Sequence, residues 1–142
     1  MKVAKRLSIV VVALAFLAGC ITPETSQMAG VSMHSWSEAV SVSYINNDSL
    51  IVRNLNIAMR YNNHFKRRAL PIKIVVMTPD SLYFEDSITL YPRHPRQTLG
   101  MATVESLPYR ANVLLNRKGP YTFTIEPYDE VKGVEAIGVE LK

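Results

Sequence analysis

The segment Tyr121-Thr122-Phe123-Thr124-Ile125-Glu126 sets an apolar side chain at every second position, with Thr or Glu between them. Successive side chains of an extended chain point to opposite faces. A strict period of two therefore describes a strand with one face in a core and the other in water. The same pattern recurs on both sides of this segment. Val40, Val42 and Tyr44 alternate with Ser41 and Ser43, and Leu55, Ile57, Met59 and Tyr61 alternate with Asn56, Ala58 and Arg60. Toward the C-terminus, Ile137, Val139 and Leu141 share one face of 134–141. The stretch Pro71 to Thr78 contains Ile72, Ile74, Val75 and Val76, too β-branched to favour a helix. Tyr83 to Tyr91 alternates more loosely, with Phe84, Ile88 and Leu90 on one parity.

Turn chemistry separates these runs. Asn46-Asn47-Asp48-Ser49 predicts a hairpin between 40–44 and 55–61, because Asn and Asp tolerate left-handed backbone and bond locally. Pro79-Asp80-Ser81 predicts another turn. Asn116-Arg117-Lys118-Gly119 predicts a second hairpin, joining Val113-Leu114-Leu115 to the 121–125 strand. Asn62 to Arg68 is a polar, basic loop, and Pro92 to Gly100, with two prolines and no apolar pattern, is the longest central loop. Beyond the N-terminal region no stretch of twelve residues keeps a 3.6-residue period. The fold class expected is all-β: an antiparallel β-sandwich, Ig-like or jelly-roll-like, of about seven or eight strands over 32–142. At 142 residues the chain is one domain long.

The first twenty residues have a different character. Lys2, Lys5 and Arg6 precede an apolar run from Leu7 to Ala18 that only Ser8 interrupts. That run is shorter than the roughly 20 apolar residues needed to span a bilayer. It closes on Leu17-Ala18-Gly19-Cys20, and Cys20 is the one cysteine of the chain. Small residues before a thiol nucleophile resemble a bacterial lipoprotein signal with its lipobox; the alternatives are an ordinary secretory peptide or a short membrane helix with an incidental Cys. The resemblance implies cleavage of 1–19 and acylation of Cys20, with two or three acyl chains giving a stable anchor where one would not. Residues 20–31, small and polar, are expected to form a flexible lipidated tether. Bacteroidetes use an acidic run after such a cysteine to send lipoproteins to the cell surface. Here Glu24 stands alone, so an outer-membrane anchor facing the periplasm is expected.

Charge and chemistry narrow the function. The net charge of +4 and pI near 9.3 suggest nucleic acid at first sight. Without residues 1–19, 13 Lys and Arg face 12 Asp and Glu, a net of +1, too small a surplus for a nucleic-acid-binding domain. His34, His64 and His94 lie thirty residues apart with no close ligand pair, so no metal is expected. Asp80, Glu85 and Asp86 lack the Asp-x-Asp-x-Asp run of a calcium loop. No Gly-x-Ser-x-Gly elbow and no Gly-rich phosphate loop is present, so neither catalysis nor a cofactor is called for. Two basic clusters remain, His64-Phe65-Lys66-Arg67-Arg68 and Arg93-His94-Pro95-Arg96, both in loops. If the loops share one end of the sandwich, Arg67, Arg68, Arg93 and Arg96 are candidate contacts for an acidic protein or a lipid phosphate. The other reading is a solvated surface. Trp36, the only Trp, is expected to open the first strand and seal one end of the core; exposed, it would stack on a sugar ring.

Several of these segments together resemble the gliding-motility H family of small lipoproteins (GldH-like) from Bacteroidetes. They are the lipobox, Trp36, Leu55-Asn56-Ile57-Ala58-Met59-Arg60-Tyr61-Asn62, Gly119 to Ile125 and Val134 to Leu141. The chain departs from that family at Pro92-Arg93-His94-Pro95-Arg96, where members tend to carry a Gly-rich, Trp-containing stretch. The resemblance implies an envelope lipoprotein associated with gliding and secretion machinery, and it supplies no catalytic residues. The expected function is a non-enzymatic protein-binding or assembly module held to the membrane by Cys20, with an envelope protein as partner. The alternative is a carbohydrate-binding surface lipoprotein.

Overall fold

The structure, a computed structural model, describes residues 26–95 and 101–142; the expected signal segment 1–19, Cys20 and Arg96 lie outside the described residues. Eight strands follow in order: β1 (Ser26–Gly30), β2 (Val40–Asn46), β3 (Val52–Tyr61), β4 (Leu70–Met77), β5 (Tyr83–Leu90), β6 (Thr103–Leu114), β7 (Gly119–Pro127) and β8 (Val134–Leu141). They form two four-stranded antiparallel sheets, β1-β8-β3-β6 and β2-β7-β4-β5, packed face to face as a β-sandwich. No helix occurs among the described residues.

The alternation read from the sequence is what closes the core. Tyr121, Phe123 and Ile125 of β7 are buried, and they face Leu55, Ile57, Met59 and Tyr61 of β3 across the sandwich. Ile72 and Ile74 of β4 and Ile137, Val139 and Leu141 of β8 complete the two inner layers. Burying a large aliphatic or aromatic side chain is worth about 1.5–3 kcal/mol, so these central strands carry most of the driving force.

The predicted hairpins are corrected by the sheet order. β2 pairs with β7, whereas β3 pairs with β8 and β6, so residues 47–51 cross from one sheet to the other. Residues 115–118 cross in the same way between β6 and β7. Alternating runs about a turn suit a hairpin and a sheet-crossing arch equally; what decides is which layer must cover which. Asn46 fixes the choice locally. Its buried side-chain amide donates to the carbonyls of Leu115 (2.9 Å) and Arg117 (2.8 Å), tying both arches together. Only β4 and β5 form a hairpin of consecutive strands, turning at Pro79-Asp80-Ser81 as predicted. There Ser81 takes a left-handed φ of 63° and donates to the Thr78 carbonyl at 3.0 Å.

Three further departures have physical causes. Part of the expected flexible tether is a strand: Ser26–Gly30 lies antiparallel along β8, held by main-chain pairing that requires no apolar pattern. Gly138 permits the close approach, since a Cβ there would sit 1.8 Å from the Gln27 carbonyl oxygen. Trp36 does not open a strand. It occupies the 31–39 link, exchanges main-chain hydrogen bonds with Val131 at 2.9 Å in both directions, and caps the core at 2% exposure. Finally β6 is twelve residues long, although only its last two stand out in the sequence. It is an edge strand with Pro108 inside it and a register shift opposite Arg53 to Asn56, so its alternation is broken.

Because the strands are antiparallel, the links sort into two ends. Links 47–51, 78–82 and 115–118 lie at one end, here the lower, together with the start of β1 and the finish of β8. Links 31–39, 62–69 and 128–133, with residues 91–95 and 101–102, lie at the upper end.

Candidate functional site

The upper end gathers the side chains that sequence reasoning singled out. The 62–69 and 91–95 segments meet through His94, whose ring stacks on Phe65 (centroids 5.3 Å apart, planes at 13°). The same ring meets Tyr61 edge-on at 5.5 Å, and Tyr61 and Phe65 lie 5.2 Å apart, a compact aromatic trio. His94 Nε2 lies 2.5 Å from the Arg67 carbonyl oxygen. A carbonyl only accepts, so this contact requires the proton on Nε2. The condition that the two basic loops share one end of the sandwich is therefore met.

Glu105 of β6 anchors the trio from below. Its carboxylate accepts from the Tyr61 hydroxyl at 2.6 Å and from the Arg93 main-chain N–H at 3.0 Å. Burial, reinforced by that carboxylate, pushes the Tyr61 phenol well above its ordinary range, so it remains a donor at any physiological pH. Gly133, with φ +85°, lets the 128–133 link close against the 62–69 loop; a Cβ there would lie 2.2 Å from the Phe65 nitrogen.

The candidate arginines divide by partner. Arg67 is used inside the fold, with Nη1 3.6 Å from Asp129 and Nη2 donating to the Glu130 carbonyl at 3.1 Å. Arg93 extends its Nε toward Glu105 at 3.9 Å. Arg68, by contrast, makes no ion pair or hydrogen bond among the described residues, and the same holds for Lys66. Both line a depression of about 410 Å³ that Phe65 and His94 also line. Asn62 and Asn63 are shared with a neighbouring depression of about 520 Å³ that also takes in His34, His64, Lys132 and Glu135. All three histidines thus come to one end, yet among the described residues no group of three or more His, Cys, Asp or Glu could hold a metal.

The carboxylates considered for calcium are dispersed. Asp80 accepts from the Thr78 hydroxyl at 2.5 Å, which lowers its pKa below the usual carboxylate range, and it sits 3.6 Å from Arg117. Glu85 accepts from the Tyr83 hydroxyl at 3.2 Å. Asp86 accepts from Tyr109 at 3.0 Å and from Arg110 at 2.9 Å; the Tyr109 hydrogen bond, then Arg110, hold its pKa down. This last cluster joins edge strands β5 and β6 across the open side of the sandwich. With its core position, Trp36 offers no exposed platform for a sugar ring.

Sequence reasoning missed the lower end. Among the described residues, nine of the fourteen exposed large apolar side chains lie there, including Leu50 at 86% exposure, Ile51, Leu82 and Phe84. Phe84 is on the inner-face parity of β5, as its alternation predicts, but the opposite sheet leaves it uncovered beside a groove of about 640 Å³. The signal available in the sequence was the pair Leu50-Ile51 within turn chemistry, where polar residues are the rule. No protein-family model matches the chain, and no curated protein matches it.

Proposed function

We propose that this protein is a non-enzymatic cell-envelope lipoprotein. An acylated Cys20 tethers it to the outer membrane on the periplasmic side, and its upper end acts as a protein-binding or assembly surface. The GldH-like resemblance of the sequence is what favours an association with gliding and secretion machinery. The observation that carries the reading is the lock formed by His94 on Phe65 and Tyr61. It holds two loops distant in sequence as one surface and, among the described residues, leaves Lys66 and Arg68 without an ion pair or hydrogen bond at its rim. Free cations on a rigid frame favour an acidic protein face, steering encounter and fixing orientation more than supplying bulk affinity. The lock supports a fixed binding surface: the Tyr61 hydroxyl is taken up by Glu105 and His94 Nε2 by the Arg67 carbonyl.

The test is site-specific photo-crosslinking in the native envelope. A crosslinking residue at Asn63, beside Lys66 and Arg68, should capture a discrete acidic protein. The pair Lys66→Glu and Arg68→Glu should abolish that band without altering the amount of folded protein. A band that persists through the charge reversal, or no band from any upper-end position, overturns the proposal.

A further inference from the structure

We infer that the lower end of the sandwich rests in the headgroup region of the same bilayer that holds the lipid on Cys20, with Leu50 and Ile51 inserted. The inference rests on the lipoprotein reading and adds to it an orientation and a second point of membrane contact. Three independent features converge on it.

The first is the distribution of apolar surface. Single exposed hydrophobic residues are ordinary, but a concentration at one end marks a surface made to be covered. Ile45, Leu50, Ile51 and Val52 follow one another around the 47–51 arch at 62, 86, 46 and 56% exposure. Met77, Leu82, Tyr83 and Phe84 surround the neighbouring 78–82 turn. At the upper end the exposed apolar side chains are fewer and scattered (Met33, Tyr91, Met101, Val104 and Tyr128), and the links carry the histidines, Lys66, Arg67, Arg68 and Lys132.

The second is the presentation of the tip. Asp48 accepts the Leu50 N–H at 2.9 Å, an Asx turn that satisfies the local main chain and directs the following residues outward. Asn46 pins the base of the same arch to the 115–118 link. A braced arch can enter the interface without paying to order itself on arrival. Cations flank it. Lys118 is exposed, and Arg53 binds the Tyr44 hydroxyl at the arch root, both within reach of anionic headgroups.

The third is the point at which the chain enters. Ser26 pairs with Glu140, next to Leu141 and the arch, so β1 starts at the lower end. Cys20 lies six residues before Ser26. Six extended residues reach about 20 Å at most. The ten-residue β3 alone extends about 33 Å at roughly 3.3 Å per residue. The anchor therefore holds the lower end close to the bilayer and keeps the upper end, with Lys66 and Arg68, directed away.

The experiment uses the full chain, purified from its own membrane and placed in vesicles of phosphatidylethanolamine and phosphatidylglycerol with brominated acyl chains. The variant Leu50→Trp reports the arch, Tyr128→Trp reports the upper end, and buried Trp36 gives the same background in both. Expected is a blue shift and loss of most of the added emission for Leu50→Trp, with Tyr128→Trp unquenched. Protein that floats with the vesicles while Leu50→Trp stays unquenched overturns this inference and leaves the lipid anchor standing. Equal quenching at both positions overturns it too, since no orientation is then imposed. A blue shift that grows with protein concentration in detergent, without vesicles, assigns the patch to a second copy and likewise overturns it. Failure to float, with an unmodified Cys20 by mass, overturns the anchor and this inference together.

Discussion

Replacing Gly138 by alanine should release β1 from the sandwich. The added Cβ would lie 1.8 Å from the Gln27 carbonyl oxygen and 2.7 Å from Met28 Cα, both main-chain atoms that no side-chain rotation can clear. β8 cannot retreat, because Ile137 and Val139 on either side of Gly138 are fully buried. The strand that yields is β1, five residues paired on one side only. The main-chain ladder gained by β1 and the entropy of ordering five residues are of similar size, so the loss expected is that of an ordinary close-contact substitution, about 1–3 kcal/mol. Gly30→Ala is the matched control, since a Cβ there has its nearest neighbour at 4.0 Å, and it should stay within about 0.5 kcal/mol of the wild type. Urea unfolding gives the stability difference. Hydrogen exchange gives its location: amides of 26–30 and of the exposed edge of β8 should lose protection while those of β3 and β7 keep theirs. Equal urea midpoints for the two variants, with β1 still protected, would refute the claim that close backbone approach at Gly138 holds this strand.

Other consequences follow from the same geometry. Phe123→Ala, at the centre of the core with no exposure, should cost about 3–5 kcal/mol in urea unfolding. Leu50→Asp, at 86% exposure, should leave that stability within about 0.5 kcal/mol, which separates the apolar arch from the core. Asp86 has its pKa lowered below 3.8 by the Tyr109 hydrogen bond and then by Arg110. The unfolded state therefore binds the proton first, and the contribution of Asp86, present above its unfolded pKa, is lost as pH falls through the lower folded value. Urea midpoints measured from pH 6 downward should thus fall more steeply below about pH 4 for the wild type than for Asp86→Asn. Native Trp36 emission should be blue-shifted and resist acrylamide, and Gly133→Ala, which sets a Cβ against the Phe65 main chain, should both destabilise the fold and expose Trp36 to the quencher.

How much of this was legible in the sequence depends on what each element's neighbours require of it. β7, β3 and β8 are internal strands with one face wholly in the core, so their alternation survives intact and names the buried residues directly. β1 left no trace because Ser26–Gly30 is held by its main chain, and β6 left little because an edge strand with Pro108 need not alternate. The crossings at 47–51 and 115–118 were taken for hairpins because turn residues report a reversal, not the layer in which the chain resumes. The same limit governs the site. Sequence located both basic loops, but it could not divide Arg67 and Arg93, committed to Asp129 and Glu105, from Lys66 and Arg68. Nor could it sort links by end, since that requires the strand directions, and the contrast between an apolar and a charged end becomes visible only then.

The proposed function and the orientation at the bilayer both depend on the fate of Cys20. Intact-mass measurement of the protein extracted from its native membrane tests this most directly. A chain that begins at Cys20 and carries the mass of its acyl groups is the predicted result. An unmodified Cys20, or a chain that still begins at Met1, would contradict it.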